Sequence, residues 1–197
     1  MSEQRPNKSE IAFLNLAFNY FYDLFDEVMN DSFWGKDAWY RFSRITNGFA
    51  IYSELLNYEP IKWVIEHMKT ARPPMEAEIG SDLFKFVRNV LTHFPFFKRW
   101  DDVWISKSLV NWRKEGQSID RFLISYVGKP PVKYRFWEDE KKRMNYLSIA
   151  FPAEYNGGKK IYLRDMLNEK DGVRFCFVLM RQIMNTQVDL SIEDQTV

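Results

Sequence analysis

Cysteine and histidine are almost missing from this chain: its 197 residues hold one Cys and two His. A lone thiol, Cys176, excludes an internal disulfide framework and fits a reducing compartment, the cytoplasm. So few soft ligands also exclude a structural zinc site of the usual Cys/His kind. An excess of one charge is lacking too, since 28 Lys+Arg stand against 27 Asp+Glu. That balance excludes a protein that coats nucleic acid through bulk charge, and leaves local patches open. No apolar run reaches the roughly 20 residues a membrane span requires; the best stretch, IAFLNLAFNYFYDLFDEVM, is broken by Asp23, Asp26 and Glu27. The opening MSEQRPNKSE has no apolar core of a secretory signal, and the closing LSIEDQTV reads as a frayed polar tail. No membrane partner is expected. Internal repeats, low-complexity tracts and Gly/Ser linkers are absent, and Gly157-Gly158-Lys159 lacks the spacing of a phosphate loop.

What the chain has in quantity is aromatic and aliphatic side chain. Hydrophobic types make up 46% and aromatic types 17%, enough for one well-buried domain over residues 1–197. Periodicity predicts a mainly α fold. Ser9 stands where an N-cap belongs, before Ile11, Leu14, Phe18, Phe21, Phe25 and Val28, so a first helix is expected over about 9–29. Asp37 caps a second, carrying Trp39, Phe42, Ile45, Phe49, Tyr52 and Leu56. Pro60 opens a third, with Ile61, Val64, Ile65 and Met68 inward. Pro73 and Pro74 open a fourth, striped by Met75, Ile79, Leu83, Phe86, Val87, Val90 and Phe94, which Pro95 should stop near His93. A fifth is expected over roughly 98–114, with Trp100, Trp104 and Trp112 in the core or an interface. Ser118 caps a short sixth around Phe122, Leu123 and Tyr126.

After Gly128 the period changes to two. Val132, Tyr134 and Phe136 alternate with Lys133, Arg135 and Trp137, then a charged turn, EDEKKR, precedes NYLSIAFP. This predicts a β-hairpin within an insertion of about 132–165, with a further strand at KIYLR. The interleaving of basic and aromatic residues is that of single-strand binders, and equally what a hairpin needs to sit on a core. The acidic residues of the turn weigh against the first. Helix returns at GVRFCFVLMRQIMNT, where Cys176 between Phe175 and Phe177 reads as a buried small hydrophobe.

With two histidines, candidates for proton transfer are few. His67, in IEHMKT, reads as a surface or boundary residue. His93 closes the fourth helix in RNVLTH. Asn89 and His93 lie four apart and share a face, at about 40°. Arg88 and His93, five apart, are separated by about 140° at 100° per residue. They meet only if the long Arg88 side chain reaches round, if the turn before Pro95 is distorted, or if two copies of the helix face each other across a two-fold axis. His93 is expected half-buried at the edge of the stripe. The helix dipole and burial act there in opposite directions on its charge, in the range general acid–base chemistry uses.

Arg, a polar residue, three more, then His, within a striped helix of a helical protein, resembles the HEPN superfamily (higher eukaryotes and prokaryotes nucleotide-binding). Six residues carry the resemblance. It implies a HEPN-like helical bundle, commonly a homodimer, in which the β insertion is an addition to the minimal fold. It implies a metal-independent endoribonuclease, without cofactors, of the sort found in toxin–antitoxin pairs and phage defence. Restraint by an antitoxin or regulatory protein would then be expected. By position, Arg88 and His93 would be the catalytic pair and Asn89 the accompanying polar residue. His93 would act as base or acid on RNA, Arg88 would stabilise charge on the phosphoryl oxygens, and Asn89 would bind phosphate or orient the imidazole. Lys85, Lys98 and Arg99 flank the motif as candidate RNA-binding residues, with Lys107 beyond, although Asp82, Asp101 and Asp102 dilute the patch. The same resemblance admits a non-catalytic nucleotide-binding or protein-interaction module.

Overall fold

The computed structural model describes residues 7–57, 74–112, 117–139 and 141–185, with side chains at all of these but 56, 74–78 and 185. The expected third helix, His67 and both chain ends lie outside the described residues.

Helix α1 (Lys8–Met29) and helix α2 (Ala38–Asn57) pack against each other. The N-cap of α1 is Asn7, not Ser9. Asn7 Oδ1 accepts from Glu10 N at 3.0 Å while Glu10 Oε2 accepts from Asn7 N at 2.7 Å, a capping box that Ser9, followed three residues on by Ala12, cannot close. The predicted stripe is buried from Phe18 to Val28. Asp37 Oδ1 accepts from Trp39 N and Tyr40 N and caps α2 as expected. Helix α3 (Pro74–His93) buries Leu83, Phe86, Val87 and Val90. Its bonding persists to Phe94 N, which donates to Val90 O at 3.1 Å, and Pro95 follows.

The fifth predicted helix does not form. In its place stand a 3-10 turn (Trp100–Asp102), strand β1 (Trp104–Ile105) and short helix α4 (Lys107–Asn111). Ser106 restarts helix by accepting from Leu109 N, and the extended Trp104–Ile105 pairs with a distant strand. Trp100 is core, its indole donating to Leu167 O at 3.0 Å. Trp112, expected with it, is 68% exposed. Helix α5 (Ser118–Tyr126) has Gln117, not Ser118, at its cap.

The hairpin forms as predicted from β2 (Val132–Glu138) and β3 (Arg143–Ile149), antiparallel, with Tyr134 opposite Leu147 and Arg135 opposite Tyr146. The further strand β4 (Ile161–Tyr162) forms, but pairs with β1 rather than with the hairpin. The insertion therefore belongs to two sheets. Short helix α6 (Leu163–Met166) leads into helix α7 (Glu169–Asn185). Every residue of α7 from Gly172 to Met180 is buried, Cys176 fully, as befits a helix enclosed on all sides. Phe177 stacks on Phe21 at 6.0 Å and meets Phe49 edge-on. Phe175 receives Tyr134 and Phe136 edge-on at 5.4 and 5.5 Å, so α7 is the post on which both α1/α2 and the hairpin rest. The architecture is mainly helical with small antiparallel sheets. Among the described residues, no helix is long and apolar enough to cross a membrane.

Candidate active site on helix α3

Helix α3 carries Lys85, Arg88 and Asn89 at the spacing of one face, with His93 on the following turn. Arg88 is half-buried and its Nε donates to Asn89 Oδ1 at 3.0 Å. Burial pushes the guanidinium below its usual pKa, partly offset by the Tyr52 phenol on α2. It remains a cation. Among the described residues no carboxylate pairs with it. The Asn89 amide Nδ2 donates in turn to Ser118 Oγ, on the first residue of α5. Thr92 Oγ1 accompanies the row, donating to Arg88 O at 2.9 Å.

His93 is exposed rather than half-buried. It is the last residue of α3, two positions past the buried Val90–Leu91 pair, and Phe94 turns inward in its stead. Because the helix stays regular to this point, the distorted turn that would draw Arg88 to His93 within one chain is not formed. The structure thus joins Arg88 to Asn89 and Ser118, and presents His93 at the helix end, about 140° round the helix from Arg88.

Of the flanking cations, Lys85 lies 3.9 Å from Asp82, both being 41% exposed. Lys98 and Arg99 are exposed in the turn after Pro95. Lys107 sits over the Tyr155 ring at 5.7 Å. Ser118 and, two residues on, Asp120 were not foreseen from sequence. Asp120 is 3% exposed and accepts from Asn111 Nδ2 at 2.9 Å. Burial, then the nearby Asp120 carboxylate, raises the Tyr155 phenol. Even so, Tyr155 Oη and Asn111 Oδ1 are buried without a hydrogen-bond partner among the described residues. Only the alternation of Ser118 and Asp120 at a helix start hinted at polar groups there. Burial likewise raises the Cys176 thiol well above its usual range, which removes it as a nucleophile.

A groove of about 730 Å³ lies between the first turns of α1 and the last of α2, lined by Phe13, Leu14, Ile51 and Leu55 and not by the α3 residues. Among the described residues no group of three or more His, Cys, Asp or Glu is placed to hold a metal. Comparison with protein-family models, with curated proteins and with solved structures found no match to this chain.

Proposed function

We propose that the chain is a metal-independent endoribonuclease of HEPN type, acting in the cytoplasm as a homodimer with helix α3 of each copy at the shared site. The observation that carries this reading is Arg88: a half-buried guanidinium with no carboxylate partner among the described residues, on the same helix as an exposed imidazole. A half-buried cation with no carboxylate paired to it among the described residues suits a phosphate. Since about 140° separates Arg88 from His93 on a regular helix, a second copy is the way the two meet. His93 then takes the 2′-hydroxyl proton. The O2′–P bond forms, the P–O5′ bond breaks, and His93 of the other copy protonates the departing 5′-oxygen. Arg88 holds the charge on the phosphoryl oxygens, while Lys85, Lys98 and Arg99 engage flanking phosphates.

The test is incubation of single-stranded RNA with the purified protein in excess chelator. Fragments ending in 2′,3′-cyclic phosphate, with DNA of the same sequence uncut, are expected; intact RNA, or cut DNA, refutes the chemistry. A protein of this kind is toxic when expressed alone, as in toxin or phage-defence systems, and would be restrained by an antitoxin or regulatory partner. One observation favours a second reading, a non-catalytic HEPN-like interaction module. The Asn89 carboxamide is engaged on both sides, by Arg88 and Ser118, as a tie between helices would be.

A further inference from the structure

Helix α5 opens without a cap it has the residue to make. Its N-cap, Gln117, forms no side-chain hydrogen bond to the first turn, although serine, the next residue, is among the best capping types. The Ser118 hydroxyl is used elsewhere: its Oγ accepts from Asn89 Nδ2 on α3. A local preference given up in this way is characteristic of groups that serve something outside their own element.

That hydroxyl is held from two sides. Asp120, two residues on, is buried and accepts from Asn111 Nδ2 at the end of α4 at 2.9 Å. Phe122, one turn beyond Ser118, stacks on Phe86 of α3 with ring centroids 4.5 Å apart. The first turn of α5 is therefore tied to α4 by a charged hydrogen bond and to α3 by an aromatic pair, and Ser118 stands at a fixed place beside Asn89.

The Asn89 carboxamide passes this position on. With Nδ2 given to Ser118, Oδ1 accepts from Arg88 Nε at 3.0 Å. Turned over, the amide would set its NH2 against the Nε–H, donor on donor, so both ends favour one orientation. A guanidinium bonded through Nε has its plane set. Its terminal nitrogens, Nη1 and Nη2, have no hydrogen-bond partner among the described residues. Two parallel N–H groups on a fixed fork match two oxygens of a phosphate.

We infer that Ser118 is a positioning residue of the candidate site: through Asn89 it fixes the plane of the Arg88 guanidinium, so that Nη1 and Nη2 meet a phosphate of RNA together. The inference rests on the ribonuclease reading for the identity of that phosphate. Ser118 touches neither substrate nor reacting atoms in this role. What it supplies is precision, and a misplacement of about 1 Å costs on the order of 100-fold in rate. Loss of the orienting bond alone, with Arg88 still anchored on its own helix, should cost less.

The experiment has two readouts. In single-turnover cleavage, Ser118→Ala should lower the rate at saturating RNA about ten-fold. The RNA concentration for half-maximal rate should move by less than about two-fold. Ser118→Thr, which keeps a hydroxyl, should restore the rate. Combined with Arg88→Ala, Ser118→Ala should cost nothing further, because groups acting as one unit are not additive. A mere tie between α5 and α3 would lower the rate by the same factor with and without Arg88. The second readout needs no substrate: solvent exchange of the Arg88 Nε–H, followed by proton–nitrogen NMR and assigned by its loss in Arg88→Ala, should quicken in Ser118→Ala and stay slow in Ser118→Thr. Unchanged cleavage by Ser118→Ala, an equal factor in both backgrounds, or unchanged Nε–H exchange overturns the inference and leaves the ribonuclease reading standing. Intact RNA with the wild-type protein refutes that reading, and this role with it, whatever the exchange rates.

Discussion

Glu138 of the hairpin and Arg174 of the central helix form an ion pair at 3.2 Å, their side chains 2% and 10% exposed. Burial, the largest influence on Glu138, pushes its carboxyl up. Asn145, Arg174, Arg143 and Lys141 together outweigh it and hold the carboxyl below its usual value. The pair fixes the hairpin to the core at its turn end, since Arg174 also donates to Met29 O at the close of α1.

Among the described residues, Glu138→Ala leaves the buried guanidinium with Met29 O and the solvent-exposed Asp31 carboxylate at 3.7 Å. It should therefore lower unfolding free energy by about 3 kcal/mol. Urea denaturation monitored by tryptophan fluorescence measures this, and a loss below about 1 kcal/mol would show that the pair behaves as a surface bridge.

Gly48 in α2 faces Phe177. A methyl group there overlaps Phe177 Cζ and lies 2.9 Å from Cε1, in a ring already wedged between Phe21 and Phe49. Alanine gains about 1 kcal/mol of helix propensity over glycine, whereas overpacking a rigid core costs about 1–3 kcal/mol. With neighbours fixed on both sides the second should win. Gly48→Ala is expected to lower the melting temperature, and a rise would mean that the core yields.

Acid should weaken the α1–α2 contact. Burial raises the Glu27 carboxyl, but hydrogen bonds from Tyr40, Lys36 and Arg44 prevail and bring it from 4.5 to about 2. A carboxyl depressed in the folded state contributes stability above its unfolded pKa and loses it as pH falls through the folded one. Wild type should thus lose stability between about pH 5 and pH 2, and Glu27→Gln should be less stable at pH 7 with a shallower fall over that window. Parallel pH profiles for the two proteins would contradict this.

Arg88→Lys keeps a charge but removes the Nε–H that Asn89 accepts and the planar fork that grips phosphate. The ribonuclease reading expects RNA cleavage to fall about 100-fold with stability changed by less than about 1 kcal/mol. A helix tie would give the reverse, a destabilised protein whose interaction with RNA is unaltered.

The periodic elements were legible because apolar spacing alone decides them: α1, α2, α3, the hairpin and α7 lie where Phe21, Phe49, Val87, Tyr134 and Phe177 place them. The 98–114 stretch was misread because Trp100, Trp104 and Trp112 mimic a helical stripe. Pairing of Trp104–Ile105 with Ile161–Tyr162, more than fifty residues on, is invisible to a local pattern. Ser9 was mistaken for a cap because the reciprocal Asn7–Glu10 box starts two residues sooner. At the site, the Arg88–Asn89 bond follows from adjacency, while Ser118 enters through packing of α5 on α3. The exposure of His93 turned on where α3 ends relative to the core.

The most direct measurement is the single-turnover rate of RNA cleavage in excess chelator by wild type, His93→Ala and Arg88→Ala, each first shown by sedimentation to be a folded dimer. A general acid–base group and a phosphoryl clamp each account for about 100-fold or more, so both variants should fall at least that far. Cleavage by both at the wild-type rate, or wild-type protein that is monomeric and leaves RNA intact, would contradict a composite ribonuclease site on α3.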